Sequence, residues 1–251
     1  MKDEIIKMWN EGSDGYNKYA KKSLSIRSET ISWQQLFSEK IGKENQKILD
    51  VGTGPGIIAI QLAELGHDVT GVDLSEEMLK NAEKNSRNAG LKIEFKKGDA
   101  EELPFEDNTF DIVVSRFVLW NLPNPEKALR EWSRVLKKGG KIIYVDIDDN
   151  EHPRLYRPIK WRIWHRISQV LILLTEHSNP FKRRHRDGKI YENLWSTESI
   201  RPKTDIEMLN RIGLVNISVT EKLKQKTLKG VQYLKYGYMN DYFIICATKI
   251  E

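Results

Sequence analysis

Ile48-Leu49-Asp50-Val51-Gly52-Thr53-Gly54-Pro55-Gly56 decides the fold of this chain, because an apolar strand runs straight into a glycine-rich turn. Further on, Val69-Thr70-Gly71-Val72 ends in the carboxylate of Asp73. Strand, tight turn, helix and a second strand ending in an acid are the layout of a nucleoside-binding βαβ unit. The acid is placed to accept hydrogen bonds from ribose hydroxyls. The glycine spacing narrows the ligand. A turn that holds a pyrophosphate against a helix N-terminus reads Gly-x-Gly-x-x-Gly. Here the spacing is Gly-x-Gly-x-Gly, and Asp50 lies two residues before the first glycine. A carboxylate repels a pyrophosphate and attracts an ammonium or a sulfonium, so the turn favours a nucleoside that carries positive charge.

The same alternation continues outward. Strands are expected at about 47–51, 68–72, 91–96, 110–115 and 141–146. The first helix runs from about Gly56 to Leu65, with Gly66 as its stop. The second starts at Ser75, a good N-cap, with Glu76 and Glu77 in its positive first turn, and ends at Gly90. The third starts at Asn124-Pro125 and shows Ala128, Leu129, Trp132, Val135 and Leu136 on one face, with Gly139-Gly140 as the expected stop. A helix near 204–212 and strands near 214–220 and 242–249 close the chain. The pattern predicts an α/β fold built on a doubly wound, mostly parallel sheet. Four parts are expected: a helical segment over 1–45, a nucleoside-binding core over 46–150, an insertion over 151–203, and a C-terminal helix and strands over 204–251. In the first part, Ile26, Thr30, Trp33 and Phe37 fall at helical spacing among scattered aromatics that include Trp9, Tyr16 and Tyr19.

S-adenosylmethionine is a nucleoside with the required positive charge, and the central stretch resembles class I S-adenosylmethionine-dependent methyltransferases, closest to the ubiquinone/menaquinone-type small-molecule group. Three further segments carry the resemblance. Lys97-Gly98-Asp99-Ala100-Glu101-Glu102-Leu103-Pro104-Phe105 resembles the adenine-binding loop, and Phe110-Asp111-Ile112-Val113-Val114-Ser115-Arg116 the fourth strand. Leu129 to Gly140 resembles the helix and turn before the fifth strand. The match covers about residues 46–147. It implies a seven-stranded Rossmann-like sheet with an antiparallel last strand, a helical cap, and S-adenosylmethionine as cofactor.

The resemblance also implies roles. Asp50 faces the amino group of the cofactor, directly or through water, or caps the turn. Gly52, Thr53, Gly54 and Gly56 form the turn against the ligand, and Asp73 takes the ribose hydroxyls with Leu74 beside it. Met78 packs on the adenine face or in the core. Asp99, Ala100 and Glu101 belong to the adenine-edge loop, and Ser115 and Arg116 line the pocket around the methyl group. The N-terminal segment, with Tyr16 and Tyr19, lies across the pocket. Trp120, where many relatives place histidine, holds an apolar or planar acceptor or roofs the core. No catalytic base is identifiable.

Composition bounds the rest. The chain has 251 residues, 39% hydrophobic and 31% charged, with a net charge of +5. Its one cysteine, Cys246, sits in an apolar strand-like run, which excludes a disulfide framework and suits a buried structural thiol. Four of the five histidines are spread through and around the insertion without ligand spacing, so no metal site is expected. Apolar runs such as Val170–Leu174 fall far below the roughly 20 residues that span a bilayer, and Met1-Lys2-Asp3-Glu4 lacks a signal-peptide pattern. A cytoplasmic protein without a membrane span is expected.

Between Glu151 and Lys189, ten Lys and Arg face three acids. Trp161, Ile163, Trp164, Ile167, Val170 and Leu171 interleave with them. This insertion is either a solvated basic helix or a cap whose cations, Arg184 in the block Lys182-Arg183-Arg184-His185-Arg186 among them, draw in an anionic acceptor. The leading function is methyl transfer to a small-molecule acceptor, anionic or partly apolar. RNA or other nucleic acid docked on the basic insertion is the alternative, disfavoured because Ser115-Arg116-Phe117-Val118 lacks the Asn/Asp-Pro-Pro-aromatic turn of amino-methylating nucleic-acid enzymes. A non-catalytic S-adenosylmethionine-binding protein is the third reading.

Overall fold

The computed structural model describes residues 2–42, 44–147, 159–176, 194–237 and 241–250. Two helices lead in, α1 (Lys2–Ser25) and α2 (Arg27–Ile41), before β1 (Lys47–Val51), α3 (Ile57–Glu64), β2 (Asp68–Asp73), α4 (Glu76–Asn88) and β3 (Glu94–Lys97). There follow β4 (Phe110–Arg116), a 3-10 turn (Leu119–Asn121), α5 (Pro125–Val135), β5 (Leu136–Ile147) and α6 (Ile159–Glu176). The chain closes with α7 (Trp195–Glu198), α8 (Lys203–Arg211), β6 (Leu214–Thr220), α9 (Lys224–Thr227), α10 (Gly230–Tyr236) and β7 (Tyr242–Lys249).

The strands form one seven-stranded sheet in the order β3-β2-β1-β4-β5-β7-β6. β1 to β5 pair in parallel, and β7 runs antiparallel to both β5 and β6. Central strands covered on both faces must be apolar throughout. Accordingly Ile48, Leu49, Val51, Val113, Val114, Ile142 and Ile143 are all buried. One core layer, with Trp132, Tyr144 and Phe243, lies beneath α5 and α8. The other, with Trp33, Phe37, Ile58 and Leu62, lies beneath α2 and α3. Cys246 is a free buried thiol whose pKa burial pushes up, as the sequence predicts. The strand order reverses beside β1, between β2 and β4, and in open α/β sheets the crevice at such a switch point binds ligands.

The expected helical segment over 1–45 is two helices, α1 and α2, with Trp33 and Phe37 buried on α2. Two expectations need correction. Helix α5 ends at Val135 and not at Gly139-Gly140. Leu136 already pairs with Phe110 in the sheet, and Gly139, at φ +75°, makes a turn inside the strand. β3 starts at Glu94 rather than residue 91. The insertion is described only over 159–176 and 194–203, so the basic block around Arg184 lies outside the described residues. Among the described residues, no helix is long and apolar enough to cross a membrane, and no His, Cys, Asp and Glu group could hold a metal ion.

Candidate functional site

A cavity opens at the switch point. On its floor, β1 runs into a turn whose glycines hold positive φ, 66° at Gly52 and 53° at Gly54, conformations that L side chains rarely adopt. A Cβ on Gly52 would lie 2.3 Å from Cγ2 of Val118, so the turn also needs hydrogen there to fit against the neighbouring loop. Asp73, the last residue of β2, faces the same space. Its Oδ2 accepts from the Gly54 amide at 2.8 Å and its Oδ1 from the Ser75 amide at 2.9 Å. Both oxygens are thereby fixed in direction while lone pairs remain to receive further donors. Burial raises the Asp73 pKa and the backbone donors hold the rise back.

Leu74, Ser75, Met78, Gly98, Asp99 and Ala100 continue the wall beyond Asp73. Ser75 caps α4 by accepting from the Met78 amide at 3.2 Å, and its hydroxyl donates to Asn10 of α1 at 2.6 Å. At the other end stand Arg116, Phe117, Val118, Asn121, Leu122 and Pro123. Helix α1 lies over the opening and contributes Lys2, Ile5, Ile6, Trp9 and Tyr16. It is tied down by polar contacts. Lys2 Nζ donates to Asp99 at 2.5 Å and to Glu101 at 3.0 Å, and Asn17 exchanges amide hydrogen bonds with Asn81 and Asn85 of α4. With its amide oxygen turned toward Trp9, Asn121 accepts from the indole Nε1 at 3.1 Å.

Of the residues singled out in the sequence, Gly52, Gly54, Asp73, Leu74, Met78, Asp99, Ala100, Arg116 and Tyr16 converge on this cavity. The others support it from outside its lining. Asp50 is 2% exposed, and its Oδ2 accepts from the Thr53 hydroxyl at 2.7 Å and the Ala59 amide at 3.1 Å. Burial pushes its pKa up to about 7, against the pull of those donors and of Arg116. Gly56, at φ +84°, precedes α3 and packs against Ala82. The Ser115 hydroxyl donates to the Val51 carbonyl at 2.8 Å. Glu101 accepts from the Asn124 amide at 2.8 Å and so pins the loop before α5. Trp120 turns aside: its indole donates to the Phe117 carbonyl and its amide to Asp146, both at 2.9 Å. Tyr19 is 47% exposed and touches the site through the Tyr16 ring, 5.7 Å away between centroids. Arg184 lies outside the described residues.

Sequence reasoning passed over Lys2, Ile5, Ile6, Ser75, Gly98, Val118, Asn121, Leu122 and Pro123 as site residues. For α1 a signal existed. Residues 2, 5, 6, 9 and 16 recur at the spacing that puts them on one face of a helix.

The comparisons agree with this geometry. The sequence model of a family described as "Methyltransferase domain" matches residues 49–144. A ubiquinone/menaquinone biosynthesis C-methyltransferase of Rickettsia felis is 43% identical over 122 residues, covering 45% of this chain and 49% of that protein. A ubiquinone biosynthesis O-methyltransferase of Pseudomonas savastanoi is 26% identical over 205 residues, covering 81% and 82%. The chain thus spans about half the length of the R. felis relative it matches. Among solved structures, a Methanococcus maripaludis protein assigned as an S-adenosyl-L-methionine-dependent methyltransferase superposes with a TM-score of 0.61. It is 21% identical, and 96% of this chain and 94% of that one are covered. Residues 49–144 match a methyltransferase domain, and the chain is similar to S-adenosylmethionine-dependent methyltransferases in sequence over that stretch and in fold.

Proposed function

We propose that this protein transfers a methyl group from S-adenosylmethionine to a small-molecule acceptor of partly apolar character. The observation that carries the reading is the convergence of Gly52, Gly54, Asp73, Met78, Asp99 and Ala100 on one cavity at the switch point. The donor set suits an adenosyl group. A half-buried, pre-oriented carboxylate receives ribose hydroxyls, while an acid and a backbone amide meet the adenine edge and an apolar thioether packs on its face. When bound, the cofactor supplies an already activated methyl group for in-line displacement.

The protein's own task is then to hold two reactants in line and exclude water. Helix α1 covers the site with Ile5, Ile6, Trp9 and Tyr16, and Phe117, Val118 and Leu122 give the acceptor side an apolar wall. That wall suits a quinone-like or other planar apolar acceptor, the class that the relatives' names specify for those proteins, better than a polynucleotide. Calorimetry should show S-adenosylmethionine and S-adenosylhomocysteine binding and NAD failing to bind. Tighter binding of NAD would overturn the reading.

A pH dependence follows from Asp50. With its pKa near 7 in the free protein, the carboxyl is protonated below that pH and must ionise to attract the amino group of the cofactor. Affinity for S-adenosylhomocysteine should therefore rise with pH up to about 7, by at most about tenfold per unit. Asp50→Asn should flatten the profile. The sign for stability is the reverse. A carboxyl whose folded pKa is raised binds its proton in the folded state where the unfolded chain has released it, so Asp50 makes the free protein less stable as pH rises from about 4 to 7.

A further inference from the structure

We propose that Arg116, ringed by Tyr16, Tyr19 and Tyr242, is a receptor for a carboxylate at the glycine-turn end of the cavity. The proposal rests on the methyltransferase reading and adds to it the chemistry of one more subsite.

Arg116 is the last residue of β4 and lines the cavity, yet it is only 6% exposed. Because Val51 pairs with Ser115, Arg116 stands level with Gly52, at the opposite end from Asp99. Its guanidinium carbon lies 5.2 Å from the Trp33 ring centre and 5.4 Å from that of Phe117, and Phe117 in turn packs on Tyr242 with centroids 4.8 Å apart. Its Nη1 is buried without a hydrogen-bond partner. Among the described residues, no carboxylate comes within ion-pair distance of it. Burial works against the charge, but Tyr19, Tyr16 and Tyr242, with Asp50 beyond them, more than restore it. The contrast within the same fold is direct. Among the described residues, the other buried arginine, Arg201, has two carboxylates in contact, Asp146 at 3.0 Å and Asp205 at 2.5 Å.

A buried cation with an unpaired donor is costly unless a ligand completes it; Tyr16 already shares a side-chain hydrogen bond with the guanidinium, and Nη1 is the donor left over. The shape of the vacancy selects that ligand. A guanidinium edge matches the two coplanar oxygens of a carboxylate, and the aromatic faces on either side favour a planar group over a tetrahedral one. Arg116 itself brings one positive charge, enough for a monoanion and too little for a phosphate dianion. Burial raises the pKa of Tyr16 and of Tyr242, so both phenols remain protonated donors at any ordinary pH. Within the methyltransferase reading, the carboxylate comes from the amino-acid end of the cofactor or from the acceptor.

Titration of two nucleosides separates these. S-adenosylhomocysteine carries the amino-acid carboxylate; 5′-methylthioadenosine keeps the adenosyl sulfur and lacks it. Arg116→Met should weaken S-adenosylhomocysteine about tenfold and leave 5′-methylthioadenosine unchanged, which assigns the carboxylate to the cofactor. Arg116→Lys, which keeps the charge and most of the volume but not the fork, should recover part of the loss. If neither nucleoside is affected, benzoate is titrated into protein saturated with S-adenosylhomocysteine. Loss of benzoate binding in Arg116→Met then assigns the carboxylate to the acceptor. Equal weakening of both nucleosides, or no change in any of the three ligands, overturns the proposal. Wild-type protein that binds neither nucleoside overturns the methyltransferase reading, and the subsite with it.

Discussion

Arg201→Met is expected to lower the stability of the folded protein by about 3–5 kcal/mol, the usual result of removing one partner from a buried ion pair. Arg201 Nε donates to Asp205 Oδ2 at 2.8 Å, and its Nη2 bridges Asp205 and Asp146. The Tyr144 hydroxyl also donates to Asp205 at 3.0 Å. Without the guanidinium, two carboxylates would face each other in the core with one phenol between them. Urea or thermal unfolding checks the result, and the expected fall in Tm for a chain of this size is roughly 6–20 °C. The deficit should shrink as pH falls. Burial already raises the Asp146 pKa while Arg201 holds it down, so in the variant the folded state would bind protons that the unfolded chain has released. Adding Asp205→Asn should restore part of the stability at neutral pH, and an equal loss in the double variant would argue against the charge explanation. The network reaches the site as well, because Asp146 Oδ2 accepts from the Trp120 amide and holds the turn that leads to Asn121.

Asp73→Ala should reduce S-adenosylhomocysteine affinity about ten- to a hundredfold, corresponding to charge-assisted hydrogen bonds worth roughly 1.5–3 kcal/mol. Folding should be largely kept, since Ser75 remains to cap α4, although the Gly54 and Ser75 amides each lose an acceptor. Asp73→Asn retains one acceptor oxygen and should lose less. Calorimetry on both variants, with circular dichroism to check folding, tests this. Unchanged affinity in Asp73→Ala would mean that the ribose lies elsewhere.

What the sequence made legible was local in origin. The β1-turn-α3-β2 unit is set by apolar runs and glycines within 30 residues or so, and β6 and β7 lie at 214–220 and 242–249, where strands were expected. The end of α5 was misread because cross-strand pairing of Leu136 with Phe110 prevails over a stop signal three and four residues on, and β3 starts only at Glu94, where its pairing with Thr70 of β2 begins. For the site, spacing located the right loops but could not say which way side chains point. Asp73, Met78 and Asp99 face the cavity, whereas Asp50, Thr53, Ser115 and Glu101 turn inward to brace it. That the N-terminal segment covers the pocket was an expectation of the resemblance; what stayed hidden was how α1 is fastened there. Its anchors are hydrogen bonds such as Asn17 to Asn81, made across 64 positions of sequence, and no local pattern announces a partner that far away.

Helix α1 also bears on turnover. It covers the cavity but is fastened mainly by amides and ion pairs at its margins, contacts that water can replace at little net cost. Under the proposed function, donor and spent nucleoside share the adenosyl half, and so would share the contacts with Asp73, Met78 and Asp99 beneath this helix. Neither has an advantage in leaving. On the proposed reading, a protein built this way would be slowed by its own product, and its working rate would follow the ratio of fresh to spent donor more closely than the amount of donor alone.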